Sequence, residues 1–294
     1  MQESNEYLDR RRRSRRLETM TLVAALLLPG VLFGVTACKS ARPIASPTLP
    51  LVRPELEEVK QDLMATAASW KTLTARCNLA VRSSYIRTEG STAQFRRGRL
   101  CIWKSPDGAT PAMVSLRIPE KGPESVYLVG DGVNYRVSMP ALHTAYSGQY
   151  GGPPPAGGAA RILFMPDDLA TAYDPRMLFL NKAQVLRQGT FGYCIDSLAM
   201  LAEPTRKLAV ASTVILRPRD NSMSILREYN DDGSLRAEIR FGKAEAIATS
   251  EKLAVDVPTS IFFMYAEGGT SIMLTLYDVE LNTELDLRLF DVGG

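Results

Sequence analysis

The pattern of apolar and polar positions divides the chain into a leader, a linker and a body. The first apolar run, residues 22–33, contains Pro29 and Gly30 near its end. A membrane-spanning helix needs about 20 apolar residues, so this shorter run is typical of the core of a signal peptide. The arginine-rich residues 10–16 precede it and supply the positive charge that such a leader carries. The pattern predicts export, with residues 1–37 as the signal peptide.

The body begins with apolar residues that recur every three or four positions. They are Leu56, Val59, Leu63, Ala67, Trp70 and Leu73. Pro54 occupies a first-turn position, and the acidic residues that follow it suit the positive end of a helix dipole. The spacing predicts an amphipathic helix of about five turns, ending near Leu73, whose apolar face packs on another element.

Beyond this helix, apolar and polar residues alternate, which indicates half-buried antiparallel strands. The alternation covers residues 74–82, 94–104, 114–118, 126–129, 133–139, 210–216, 224–229, 235–241 and 271–279. Gly130, Asp131 and Gly132 predict one hairpin turn, and residues 230–233 predict another, because these residue types tolerate positive φ. We expect a β-rich α+β body of about eight to eleven strands.

Three other segments interrupt this alternation. Residues 144–158 are rich in Gly and Pro and predict a loop. Residues 165–173 predict a short helix with Pro166 in its first turn. Asp167 and Asp168 at its start suit the helix dipole, and the alternative is a pair of catalytic carboxylates or a cation site. Residues 285–294 predict a short strand and a frayed end.

Cys38 directly follows the leader, and the residues before it resemble the bacterial lipobox. Val35, Thr36 and Ala37 occupy the positions of its aliphatic and small residues. The resemblance implies a diacylglycerol on the Cys38 sulfur, cleavage before Cys38, and a further acyl chain such as palmitate on the new amino terminus. Several acyl chains hold a protein on a membrane stably. The alternative is an ordinary signal anchor with an incidental cysteine.

Residues 38–54 predict an acylated cysteine followed by a Pro-rich tether that favours an extended conformation. Lys39 stands where lipoproteins retained in the inner membrane carry Asp, so the resemblance favours the outer membrane, facing the periplasm. The formal charge of +3 falls to about +1 without the leader, since six arginines and four acidic residues leave with it. This near-neutral balance argues against a nucleic-acid partner. No second linker divides residues 55–294, which predicts a single domain.

The remaining cysteines and the single histidine indicate no active centre. Cys77, Cys101 and Cys194 form no C-x-x-C motif, so we expect buried free thiols, with one disulfide as the alternative. His143 fits a surface or packing position better than a catalytic base. No nucleophile elbow, phosphate-binding loop or zinc-protease motif occurs. We expect no enzyme activity, no cofactor and no metal site.

Taken together, several segments resemble the LolA/LolB-like lipoprotein-carrier superfamily. They are the cysteine, the Pro-rich tether, the helix with Trp70, residues 73–79, residues 98–106 and the Gly130–Gly132 hairpin. The resemblance runs over residues 55–286. It implies a strongly curved antiparallel sheet, an incomplete barrel, whose concave face is covered by the N-terminal helix and a short helix. The superfamily's lipid-release arginine and exposed receptor leucine correspond to no residue identified in this chain.

The same resemblance implies an apolar cavity for acyl chains, and independently a curved sheet whose own side chains do not fill its interior leaves room for a ligand. Its candidate lining residues are Leu63, Trp70, Leu79, Leu100, Ile102, Leu116, Val126, Leu128, Leu163 and Phe164. Bulky residues act against such a cavity: Phe95, Trp103, Tyr127, Tyr135, Phe262, Phe263 and Tyr265 are large enough to fill it. The first hypothesis is a carrier or receptor for lipid or for lipoprotein acyl chains at the outer membrane. The alternative is an envelope protein-interaction or sensor module without a lipid ligand.

Overall fold

A computed structural model describes the body of the chain in ten stretches. They are residues 54–84, 92–119, 126–152, 164–180, 182–190, 192–200, 207–242, 244–249, 254–266 and 269–293. The predicted signal peptide, the lipobox with Cys38 and the linker up to residue 53 lie outside them, as does Leu163. Within these stretches, no helix combines the length and the apolar character needed to cross a membrane.

The first helix, α1, spans Leu56–Ala68 and buries Val59, Leu63 and Ala67 against the sheet. It ends earlier than its apolar spacing predicted. The Ser69 hydroxyl donates a hydrogen bond to the carbonyl oxygen of Thr66 at 2.6 Å, which closes the last turn. The prediction of a helix to Leu73 is wrong, because Leu73 is apolar as a buried residue of the first strand.

Fifteen strands and two further short α-helices follow within the described stretches. The strands of the first half are β1 (Thr72–Arg82), β2 (Thr92–Trp103), β3 (Met113–Ile118), β4 (Val126–Gly130), β5 (Asn134–Met139) and β6 (Thr144–Gln149). The helices are α2 (Pro166–Tyr173) and α3 (Arg176–Phe179). The later strands are β7 (Ala183–Gly189), β8 (Gly192–Met200), β9 (Leu208–Leu216), β10 (Met223–Tyr229), β11 (Leu235–Phe241), β12 (Ala244–Ala248), β13 (Ala254–Pro258), β14 (Ser260–Tyr265) and β15 (Thr270–Leu281).

Thirteen of these strands form one curved antiparallel sheet in the order β6-β5-β4-β3-β2-β1-β15-β14-β11-β10-β9-β8-β7, and β12 pairs with β13 separately. The first and last strands therefore pair near the middle of the sheet. The sheet is not closed, and α1 and α2 cover its concave face. The predicted fold class, a curved incomplete barrel with helices on its concave face, is confirmed.

The strand count exceeds the prediction of eight to eleven. β6 begins at Thr144, inside the segment predicted as a loop. β7 is an edge strand whose polar residues hide the alternation that reveals a half-buried strand. Both predicted hairpins are confirmed. In the first, the Asp131 carboxylate accepts hydrogen bonds from the backbone N–H groups of Val133 and Asn134 at 2.8 and 2.7 Å.

The C-terminal residues do not form the predicted strand. A single 3₁₀ turn spans Leu287–Phe290, and the Asp286 carboxylate caps it by accepting from the backbone N–H of Arg288 at 3.0 Å. Phe290 is buried, and the Arg117 guanidinium donates to the carbonyl oxygen of Leu289 at 3.0 Å. The chain end therefore packs on the outer side of the sheet instead of extending it.

The cysteine and histidine predictions agree with the structure. Cys77, Cys101 and Cys194 are buried free thiols. Burial raises the pKa of Cys77 to about 12 and also raises the pKa values of the other two thiols, so all three stay protonated at neutral pH. His143 is exposed at the end of a 3₁₀ turn.

Candidate functional site

Helix α2 is fastened to the concave face by two buried tyrosines. The Tyr146 hydroxyl donates to the carbonyl oxygen of Phe164 at 2.9 Å and accepts from the backbone N–H of Phe164 at 2.8 Å. The Tyr265 hydroxyl accepts from the backbone N–H of Met165 at 3.1 Å. Burial raises the pKa of both tyrosines, so they remain neutral. The start of α2 is thereby fixed to β6 and β14.

Helix α3 is fastened by a buried ion pair. Two nitrogens of the Arg176 guanidinium donate to the two oxygens of the Asp174 carboxylate, each at 2.7 Å. The same guanidinium donates to the carbonyl oxygen of Ser105 at 2.8 Å, next to the end of β2. Because an isolated buried charge is costly, this bidentate pair resists displacement. Helices α2 and α3 form a fixed part of the concave face.

A pocket of about 180 Å³ lies between α1, the link from α2 to α3, and the ends of β10, β11 and β13. Its apolar lining residues are Leu63, Ala67, Trp70, Ala172, Tyr173, Pro175, Met223, Phe241, Ala244, Val257 and Pro258. Its polar lining residues are Asp62, Thr66, Arg217, Asp220, Asn221, Ser222 and Asp256. We call this the α1 pocket. It combines a mainly apolar wall with some polar groups, as sites for small amphiphilic ligands do.

Arg217 organises the polar end of the α1 pocket. Its guanidinium donates to the Ser222 hydroxyl at 3.0 Å and to the carbonyl oxygens of Phe241 and Gly242 at 2.8 and 2.5 Å. These bonds close the β9–β10 turn against the end of β11. The Tyr173 hydroxyl donates to the carbonyl oxygen of Pro258 at 3.2 Å on the opposite wall. The walls on the sheet side are thus held by hydrogen bonds.

Lys104 lies under the C-terminal end of α1. Its side chain is almost fully buried, its ammonium group donates to the carbonyl oxygen of Ala67, and its Nζ lies 3.2 Å from the centroid of the Trp70 ring. Burial lowers the pKa of Lys104 to about 7, with Arg176 lowering and Asp174 raising it. One titratable group therefore contacts both the end of α1 and a wall residue of the α1 pocket.

The structure brings two of the predicted lining residues, Leu63 and Trp70, to the α1 pocket. Seven others are buried in the hydrophobic core: Leu79, Leu100, Ile102, Leu116, Val126, Leu128 and Phe164. Sequence reasoning missed Phe241, Val257 and Arg217. Phe241 ends a strand that the alternation did reveal, whereas β13 was not recognised and the role of Arg217 depends on a tertiary contact.

The bulky residues that were expected to fill the interior of the curved sheet are divided between its two faces. Phe95, Tyr135, Phe263 and Tyr265 are buried, whereas Trp103, Tyr127 and Phe262 are half-buried. The rings of Phe164 and Phe263 pack edge to face with centroids 5.3 Å apart. Much of the concave interior is therefore occupied by side chains.

A second, more polar groove of about 600 Å³ lies on the other side of α2 and α3. Asp168 is buried there and accepts from the Arg236 guanidinium at 2.5 Å, and Arg236 also contacts Glu228. A bulge in β11 inserts Arg236 opposite Glu228 and Tyr229 and turns it toward α2. The prediction that Asp168 serves the helix dipole is therefore incomplete, because its main partner is Arg236.

Asp167 also borders this groove. Burial and the adjacent Asp168 carboxylate raise its pKa to about 6, while Arg236 and a hydrogen bond from the backbone N–H of Gly151 lower it. Raised carboxyl pKa values occur at catalytic sites, but they also follow from burial alone. Across the described stretches, no group of three or more metal-binding side chains comes together.

Comparison with known proteins identifies relatives by fold only. No protein family profile matches the chain, and no curated protein matches it in sequence. Its sheet and helices resemble a solved DUF1329 family protein from Desulfovibrio piger, with a TM-score of 0.50 and 10% identity over 81% of this chain and 98% of the other. This level of similarity establishes a shared fold.

Two further solved structures are similar at slightly lower scores. One is a domain from Vibrio parahaemolyticus described as a putative outer membrane lipoprotein-sorting protein, with a TM-score of 0.49 and 11% identity over 80% of this chain and 95% of the other. The second is a LolA superfamily protein from Nitrosomonas europaea, with a TM-score of 0.48 and 13% identity over 79% and 97%.

Proposed function

We propose that this chain is a membrane-anchored envelope lipoprotein that binds one acyl chain of a lipid or lipoprotein in the α1 pocket. The observation that carries the proposal is the pocket itself, in which an amphipathic helix covers apolar ends of the sheet. The lipobox resemblance at Cys38 supports the anchor. The protein would act as a carrier or receptor in lipid or lipoprotein localisation at the outer membrane. The proposal assigns it no reaction, cofactor or metal.

Binding an acyl chain requires movement of α1. Pockets for small molecules typically measure about 300–1,000 Å³, and the α1 pocket has about 180 Å³. Helices α2 and α3 are held by buried tyrosines and an ion pair, whereas α1 packs mainly through Val59, Leu63 and Ala67. Outward displacement of α1 would enlarge the pocket at the lowest cost, and each methylene then buried contributes about 0.8 kcal/mol.

Trp70 offers a direct test because it lines the α1 pocket, and the only other tryptophan is Trp103. The full acylated chain carrying Trp103→Phe is placed in phosphatidylcholine vesicles and titrated with brominated palmitate, a quencher that acts at contact. We expect saturable quenching of Trp70 at one probe per chain. Met223→Glu adds a charge at the half-buried rim and should weaken binding about tenfold.

The matched control is Met273→Glu, which makes the same substitution on the outer face of β15, where Met273 is 41% exposed. It should bind the probe as strongly as the parent chain. Quenching that never saturates, or that responds equally to the two substitutions, would show partition into the bilayer and would reject the α1 pocket as the site.

A protein-interaction or sensor module is the second candidate, and two observations favour it. Aromatic side chains fill much of the concave interior, as in the Phe164–Phe263 pair. Met200 and Leu208 face each other across β8 and β9 and are 64% and 62% exposed. Exposed apolar pairs of this kind occur at contact surfaces. Absence of Trp70 quenching, with the chain folded, would favour this candidate.

A further inference from the structure

A row of arginines crosses the outer face of the sheet. Arg76 of β1 lies directly opposite Arg99 of β2, and Arg99 lies directly opposite Arg117 of β3. Tyrosines continue the row on both sides, with Tyr277 opposite Arg76 and Tyr127 opposite Arg117. The guanidinium carbon of Arg117 lies 5.0 Å from the centroid of the Tyr127 ring. Five neighbouring strands thus present three cations between two aromatic rings.

The surrounding strands add to this positive charge. Strands β1 to β6 contain no aspartate, glutamate or lysine, and their arginines are Arg76, Arg82, Arg96, Arg97, Arg99, Arg117 and Arg136. Arg76, Arg82 and Arg99 are exposed, and the alternate residues of these strands are buried on the concave side. The excess is local, because the predicted mature chain as a whole is nearly neutral.

Two borders of this face carry neutralising or covering groups among the described residues. An oxygen of the Asp278 carboxylate, on β15, lies 3.6 Å from a guanidinium nitrogen of Arg76. Both side chains are well exposed, so this ion pair is weak. On the other side the C-terminal 3₁₀ turn covers part of Arg117, whose Nε is buried and has no hydrogen-bond partner among the described residues. The open part of the face is therefore formed by β1 and β2.

Like charges directly opposite each other on neighbouring strands destabilise a sheet. An anionic partner removes this repulsion, and guanidinium groups suit phosphate because they offer several donors in one plane. The charges are spread over a convex surface rather than gathered in a pocket, which fits an extended anionic partner. This arrangement matches the phosphate layer of a bilayer better than a single small anion.

We propose that the outer face of β1 and β2 docks on the anionic phospholipid headgroups of the membrane that holds the anchor. The proposal takes the anchor at Cys38 from the proposed function but does not require an occupied α1 pocket. Residues 39–54 reach about 50 Å when extended, at about 3.1 Å per residue, so the body can lie on the membrane or stand away from it. On anionic lipid, the arginines would favour the state in which the body lies on the membrane.

Trp103 reports on this face. It lies on β2 two pleats from Arg99, on the same side of the strand, and it is half-buried. A Trp70→Phe variant of the full acylated chain leaves Trp103 as the single tryptophan. We would reconstitute this variant in vesicles of phosphatidylcholine alone and in vesicles of equimolar phosphatidylcholine and phosphatidylglycerol. Quenching of Trp103 by aqueous iodide and by brominated lipid is then compared between the two.

Docking predicts that the anionic vesicles protect Trp103 from iodide and expose it to brominated lipid. About 0.5 M NaCl, which shortens the Debye length to roughly 4 Å, should reverse both effects. The double variant Arg76→Gln, Arg99→Gln should shift the docking equilibrium about 25-fold toward the free body, at about fivefold for each arginine. The matched control, Arg219→Gln with Arg240→Gln, removes the same charge elsewhere and should leave docking unchanged.

Equal quenching in both kinds of vesicle, or equal responses to the two double variants, would overturn the docking proposal. Failure of the α1 pocket is a separate result, because Trp70 and brominated palmitate report it. An intact mass without acyl chains would refute the anchor instead. In that case, sedimentation of the chain with anionic but not neutral vesicles would still support docking. Failure of the chain to sediment with anionic vesicles would reject docking.

Discussion

At the scale of single residues, Lys104 is a lysine whose side chain is almost fully buried. Its ammonium is buried between the end of α1 and the Trp70 ring, where it meets a backbone carbonyl oxygen rather than a carboxylate. The charged buried pair beside it, Asp174 and Arg176, is already satisfied by its own hydrogen bonds. Lys104 therefore carries most of its own desolvation cost, which is why its pKa falls so far.

This lowered pKa makes stability depend on pH. The pKa of Lys104 falls from 10.5 to about 7 on folding, so between these values the unfolded chain binds the proton more strongly. The free energy of unfolding should therefore rise by up to about 2 kcal/mol as the pH rises from about 7 to about 8.5, below the pH at which the thiols of the unfolded chain ionise and oppose the effect. Chemical denaturation at a series of pH values measures this rise.

Lys104→Met should remove most of the rise. Lys71→Met, which changes an exposed lysine close by, should retain it. Curves of the same slope for the parent chain and Lys104→Met would contradict the assignment of the pH dependence to Lys104.

At the scale of elements, the position of α2 depends on a few buried polar contacts rather than on helix propensity. α2 has only eight residues, too few to be stable as an isolated helix. The Tyr146 hydroxyl satisfies both the backbone N–H and the carbonyl oxygen of Phe164 just before the helix. The concave face keeps its shape because this junction is fixed.

Removing that hydroxyl should loosen α2. Tyr146→Phe leaves two buried backbone groups unpaired, and we expect it to lower the free energy of unfolding by about 3 kcal/mol. Amide hydrogen exchange in Pro166–Tyr173 should become faster. The control is Tyr277→Phe, on the outer face of β15. It should change the free energy of unfolding by no more than about 0.5 kcal/mol and leave amide exchange in Pro166–Tyr173 unchanged. Similar losses in both variants would rule out this role for Tyr146.

The elements differ in how well the sequence predicted them, for physical reasons. Strands with one buried face, such as β1 and β11, show clear alternation, and the hairpin at Asp131 depends on local turn chemistry. Edge strand β7 lacks that alternation because both of its faces are largely solvated. The α1 pocket was only partly predictable, since Arg217 and Val257 reach it through tertiary packing that no local pattern encodes.

At the scale of the whole molecule, the proposed acyl anchor at Cys38 and the arginines on the outer face of β1 and β2 would both hold the body at a membrane. The lipobox resemblance predicts that Cys38 alone among the four cysteines is needed for processing. Cys38→Ser should keep the leader and carry no acyl chain, so its intact mass should equal that of the full unmodified chain. Cys194→Ala, which removes a buried free thiol, should be cleaved and acylated normally.

Cleavage of the Cys38→Ser chain at a neighbouring residue would indicate an ordinary signal peptide. Retention of an uncleaved leader in the parent chain would indicate a signal anchor. Neither result would decide whether the α1 pocket binds an acyl chain or whether the outer face of β1 and β2 docks on lipid, because separate measurements test those two proposals.

The pairing of β1 with β15 has a consequence for the timing of folding. The sheet consists of two arms, β2 to β6 beyond β1 and β14 to β7 beyond β15, and this pair joins them. Contacts so distant in the chain form late, because a long loop must close before they contribute. During synthesis from the amino terminus, the arms cannot be united until Leu281 has emerged from the ribosome. The body would therefore exist first as two unfinished halves, and its last long strand would complete the fold only after nearly all of the chain has been made.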